Sequence, residues 1–126
     1  MRRYKAAGAS AVDETGLKDL VEFINVSKDD ALSFPVPTHR EYPSTVVARM
    51  ASVVRPFVEK SLEVNNTILE VFNEKLGLPA GELLRLHDMN KWSGSEARVI
   101  KKSPSPETSP DRQVLGAHTD FGSLVD

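Results

Sequence analysis

STVVARMASVVRPFVEKSLEVNNTILEVFNEKL, residues 44–76, is the stretch on which the fold turns. Met50, Val53, Val54, Phe57, Leu62, Ile68, Leu69, Phe72 and Leu76 recur in it at three- and four-residue steps. That period places side chains on one face of a helix. Ser44 suits an N-cap, Gly77 suits the left-handed residue just past a helix end, and Pro79 prevents continuation. Pro56 falls inside the run, and Arg55 would be a poor N-cap for a fresh start. The pattern therefore predicts one kinked helix rather than two.

Such a helix would be ~48 Å long at 1.5 Å per residue. A globule of this chain's length has a diameter of roughly 36 Å. Burying the nine apolar side chains would be worth at most ~14–27 kcal/mol, too much to leave in water. The expectation is that the chain belongs to a larger fold or pairs with another chain; a strongly bent helix would need less cover.

Outward from the helix, Met1 to Gly16 is small, polar and aperiodic, which reads as a loop or arm. Leu20 to Val26 is rich in β-branched and aromatic residues and bounded by Gly16 and by Ser27-Lys28-Asp29-Asp30, so it reads as a strand. Pro35, Pro37 and Pro43 keep the next stretch extended or turned, with no regular element. After the helix, Pro79 to Leu86 reads as a short helix with proline at its first position. Ala97 to Lys101 reads as a short strand. Ser103 to Pro110, with three prolines and three serines, reads as a loop. Val114 to Phe121 reads as a last strand, closed by Gly122. The whole, residues 1–126, is one partial α+β domain: strand and loops over 1–43, the long helix over 44–76, the short helix over 79–86, and the start of a sheet core over 97–124.

Sixteen Lys and Arg against eighteen Asp and Glu give a net charge of −2, which argues against a general nucleic-acid binder. No cysteine is present, so disulfides, thiolate nucleophiles and cysteine-based zinc sites are excluded. Any metal must bind histidine and carboxylate. The basic start Met1-Arg2-Arg3 is not followed by an apolar run of about 7–15 residues that could serve as a signal-peptide core. No stretch is long and apolar enough to cross a bilayer. The expectation is a cytoplasmic protein with no membrane partner.

The strongest chemical candidate is Gly116-Ala117-His118-Thr119-Asp120-Phe121-Gly122. On a strand, residues two apart share a face, so His118 and Asp120 would present an imidazole and a carboxylate side by side. With a second histidine from elsewhere they would form the facial triad of a non-heme Fe(II) oxygenase, which leaves positions open for oxygen and substrate. Gly116 on that face would leave room for the metal. With three histidines and eight aspartates in the chain, about 0.2 His-x-Asp pairs arise by chance. On spacing alone, a strand histidine beside a turn aspartate is the plainer account, and context decides.

Context comes from Gly116 through Leu124, preceded in order by Asn73-Glu74-Lys75-Leu76-Gly77-Leu78-Pro79 and by Gly94-Ser95-Glu96-Ala97-Arg98-Val99. Together, from about Tyr4 to Leu124, these resemble the isopenicillin N synthase-like Fe(II)/2-oxoglutarate oxygenases, particularly fungal ones. The resemblance implies a double-stranded β-helix (jelly roll), here incomplete, braced by the long helix. It implies that His118 and Asp120 ligate Fe(II), with 2-oxoglutarate as co-substrate, in an oxidoreductase acting on an unidentified small molecule. In that family a distal histidine and an arginine that holds the co-substrate carboxylate lie further along, so the resemblance implies a fragment lacking both and inactive alone. Isopenicillin N synthase itself manages without 2-oxoglutarate, which leaves the co-substrate less fixed than the metal. Many relatives read Arg-x-Asn-x-Tyr-Pro at the strand from Arg98. Here Ile100, Lys102 and Ser103 stand at the last three of those named positions, and neither Ile100 nor Lys102 supplies a hydroxyl.

The other candidates have simpler accounts. His39 lies in a loop, and His87 closes a short helix, where it complements the dipole. Both precede the His-x-Asp motif, whereas the family's second histidine comes after it. Trp92 and Met89 read as packing residues, and Lys101 and Lys102 as solvated strand-end charges. A different class of function also fits the sequence: a non-catalytic interaction module, self-associating or pairing through the amphipathic helix.

Overall fold

The computed structural model describes residues 4–12, 14, 16–102 and 118–119. Its elements are β1 (Tyr4–Lys5), β2 (Val21–Ser27), α1 (Lys28–Ser33), α2 (Ser44–Arg49), a π turn (Met50–Val54), α3 (Arg55–Lys75), α4 (Glu82–Leu86) and β3 (Glu96–Lys102). This is an α+β chain with a three-stranded antiparallel sheet and one long helical run over residues 44–75. The described residues divide into two compact units, one up to Val26 and from Glu96 on, the other Ser27–Ser95.

In the first unit β2 lies between β1 and β3. Tyr4 stands opposite Ile24 and Lys5 opposite Phe23 in antiparallel register. Arg98 Nε donates to Asn25 Oδ1 at 2.8 Å and Lys101 Nζ meets Glu22 Oε1 at 2.9 Å, so partners descend along β2 as they ascend along β3. The N-terminal arm is tied down rather than free. Asp19, 2 % exposed, accepts from the amides of Gly8 and Ser10 and from Lys5 Nζ. Burial opposes its ionisation, but those donors outweigh burial and hold its pKa below the ordinary carboxylate value.

In the second unit the helical run is unbroken, and Pro56 explains its internal change. Proline has no amide for the four-residue ladder. The preceding amide, that of Arg55, bonds back to the Met50 carbonyl, five residues away, and closes the π turn. The C-terminus agrees with the sequence expectation. Gly77 has φ +64°, its amide reaches the Glu74 carbonyl at 3.0 Å, and the Leu78 amide reaches Asn73 at 3.1 Å. These are the two bonds of a Schellman ending.

Four expectations are corrected. Tyr4–Lys5, within the stretch read as a loop or arm, forms a strand because its backbone pairs with β2. Pro43, not Ser44, occupies the N-cap, and its carbonyl accepts from Val46 and Val47. The short helix begins at Glu82 rather than Pro79. The buried Asn73 side chain donates from Nδ2 to the Leu78 and Pro79 carbonyls and accepts the Leu83 amide on Oδ1 at 3.0 Å, so the residues before Glu82 form a turn against α3. Finally, the nine apolar residues do not share one buried face. Of the nine only Met50 and Leu69 are buried, Val53, Phe57, Phe72 and Leu76 are exposed, and Val58, outside the nine, is buried instead. The π turn inserts a residue and rotates α3 about its axis relative to α2. Within this unit, among the described residues, α3 packs against α1, α4 and the π turn.

α1 was not anticipated. Its Lys28, Asp30 and Ala31 are buried, and Arg55 of α3 donates to its Leu32 carbonyl.

Candidate functional site

His118 and Thr119 are exposed and belong to no assigned strand. Asp120 and the remainder of Val114 to Phe121 lie outside the described residues, as do Gly116 and the Ser103 to Pro110 loop. Among the described residues no group of three or more His, Asp or Glu is gathered to hold a metal. The donor set expected from the sequence is the imidazole of His118 and the carboxylate of Asp120, residue types that Fe(II) accepts.

The strand on the approach to the motif is β3. Arg98 lies over the Phe23 ring, 4.4 Å from its centroid, with Nε fixed on Asn25. This contact gives Arg98 a role in holding the sheet. Ile100 is 55 % exposed. Lys101 is exposed and paired with Glu22, which raises the lysine pKa and lowers that of the carboxylate, chiefly through their hydrogen bond.

His87 matches the expectation for a helix end: it is the C-cap of α4 and its Nδ1 donates to the Leu83 carbonyl at 2.8 Å. His39 is engaged otherwise. Its Nε2 lies 3.0 Å from Asp29 Oδ2, and its ring meets Trp92 edge-on at 5.3 Å. Trp92, read as a packing residue, has this edge contact with His39 and is otherwise 77 % exposed.

The cluster that sequence reading missed is Lys28-Asp29-Asp30. A charged triplet next to a strand normally marks a solvated turn, yet Lys28 and Asp30 are buried. Asp30 accepts from the amides of Thr38 and His39, each at 2.7 Å, and from the Tyr42 hydroxyl at 2.7 Å. Burial acts to raise the pKa of both aspartates, but hydrogen bonds prevail: from Lys28, Ser93 and His39 at Asp29, and from Tyr42, His39 and Thr38 at Asp30. Both stay below the ordinary carboxylate value. Burial and the Asp30 carboxylate push Tyr42 up to about 12. Three of these partners come from the 38–42 loop and one from Ser93, so no local pattern announces them.

An open groove of about 350 Å³ lies between the end of α3 and α4, lined by Glu70, Asn73, Glu74, Leu78 and Leu84 among others. Asn73 spends its polar atoms on the neighbouring backbone, so the groove offers a ligand no free buried polar group.

Compared with known proteins, the chain matches no family model, no curated protein and no solved structure.

Proposed function

We propose that the chain carries the His-x-Asp half of a mononuclear Fe(II) site in an oxidoreductase of the Fe(II)/2-oxoglutarate dioxygenase type. The observation that carries this reading is Gly116-Ala117-His118-Thr119-Asp120-Phe121-Gly122 placed after the long helix and the Arg98 strand in the family's order. His118 and Asp120 would supply two of three protein bonds, and a distal histidine the third. In that reading the sheet is the beginning of a jelly roll and the α2–α3 run is its brace. When bound, iron would supply oxidation of a substrate C–H bond by dioxygen, coupled to conversion of 2-oxoglutarate to succinate and carbon dioxide. The chain's own part is to place an imidazole nitrogen and a carboxylate oxygen on one metal and keep the remaining positions open. The substrate is a small molecule and the setting cytoplasmic.

The test compares three proteins: this chain, a version continued through the distal histidine and arginine, and the continued version with His118→Ala. Anaerobic calorimetry with Fe(II) or Co(II) should give loose binding for the first and tight binding for the second. Tight binding should be lost in the third, and succinate should form only with the second. Equal iron affinity with and without His118 would remove it from the site.

A second reading is favoured by one observation, the exposed apolar line Val53, Phe57, Val64 and Val71 along the helix. It makes the chain a non-catalytic module that self-associates through this face. A continued protein with neither iron affinity nor succinate formation, whose chain still associates through that line, would select it.

A further inference from the structure

The groups on Lys28-Asp29-Asp30 come from two segments more than forty residues apart, 36–42 and 88–95. Lys28 Nζ uses its three donors on the carbonyls of Met89 at 3.0 Å and Lys91 at 2.6 Å and on Asp29 Oδ1 at 2.9 Å. The Lys28 amide bonds the Ser95 carbonyl at 2.9 Å. These contacts hold the second segment. Asp30 holds the first, through Thr38, His39 and Tyr42, and the Tyr42 hydroxyl in turn accepts the Ser27 amide at 3.1 Å. Asp29 serves both: its Oδ2 takes the Ser93 amide at 3.1 Å from one segment and His39 Nε2 at 3.0 Å from the other.

We propose that Lys28-Asp29-Asp30 is a single latch, on which the 36–42 and 88–95 segments dock and release as one unit. The reason is electrostatic. The Lys28 and Asp29 side chains are 5 % and 8 % exposed, and buried charges attract strongly only while water is excluded. Each segment is part of what excludes it. When one lifts, water reaches Asp29 and weakens the bonds that hold the other. The chain thus has two states of this region, docked and open, rather than two independently mobile loops.

Hydrogen exchange on the full chain tests the coupling, with each substitution placed on one side and read on the other. Tyr42→Phe removes a hydroxyl that bonds Asp30 and Ser27, and the readout is the Ser93 amide. Lys28→Met removes the hold on Met89 and Lys91, and the readout is the Thr38 and His39 amides, which Lys28 does not bond. Each should speed exchange at the distant amides about tenfold, while those of Leu69 and Asn73 in α3 stay unchanged. Acceleration confined to the substituted side would overturn the proposal. If Lys28→Met unfolds the chain, the milder Tyr42→Phe decides alone.

Discussion

A carboxylate with no exposed surface is stable only if nearly every lone pair is used, and Asp30, 0 % exposed, meets that condition. Asp30→Asn keeps the shape but turns an amide toward the Thr38, His39 and Tyr42 donors. It should cost about 2–3 kcal/mol, read as a lower urea midpoint with unchanged m. The depressed pKa values of Asp19, Asp29 and Asp30 also set an acid limit. A group depressed in the folded state adds stability that is complete above its unfolded pKa, about 3.9. That stability is lost as pH falls through the lower folded value. Melting temperature should therefore hold steady from neutrality to about pH 5 and drop below pH 4, and the drop should be shallower in Asp30→Asn. At the other end, Tyr42 is raised to about 12, so its contribution is present below about pH 10 and disappears as pH rises toward the folded value. Tyr42→Phe should remove that alkaline loss. None of this is legible in the sequence, because the donors that bury Lys28-Asp29-Asp30 arrive from loops that carry no periodic signal.

The helical run shows which parts of an element a sequence discloses. Its extent, its Gly77 ending and the disturbance at Pro56 are set by local backbone chemistry, so they can be read directly. The buried face cannot. Apolar residues occupy a wider arc of α3 than α1 and α4 cover, and the π turn at Met50–Val54 changes the register between the two ends. Leu69→Ala should cost about 2–4 kcal/mol, whereas Val71→Ala, at a side chain 49 % exposed, should stay within about 0.5 kcal/mol. Chemical denaturation of the two variants checks the assignment, and equal losses would mean that the face is misplaced. α1 escaped notice for the opposite reason. Six residues give no usable periodicity, and what holds it is Lys28, Asp30 and the Arg55 contact. Of the His-x-Asp element, the spacing is legible, while the strand expected to carry it is not assigned at His118 and Thr119.

At the scale of the molecule, the largest fully buried side chains among the described residues are Met50, Asn25, Asp19 and Asp30. Three of them are polar: Asn25 accepts from Arg98 between strands, Asp19 from the amides of Gly8 and Ser10, and Asp30 from those of Thr38 and His39. Alongside stand Val53, Phe57, Val64, Val71, Phe72 and Leu76, each at least 43 % exposed. Apolar side chains exposed in this way along one helical run favour association. The chain should elute from size-exclusion columns as a concentration-dependent oligomer and bind a hydrophobic dye, and Phe57→Glu should reduce both. A dye-silent monomer with a cooperative melt would contradict this. The proposed iron site is open to direct test by paramagnetic broadening. Manganese(II), a stand-in for Fe(II), added in substoichiometric amounts to isotopically labelled chain, should broaden the His118 ring and the Asp120 carboxyl before any other signals. His118→Ala should abolish that preference. Broadening that begins at Glu70 and Glu74, or at Asp29, and ignores His118 would contradict the account.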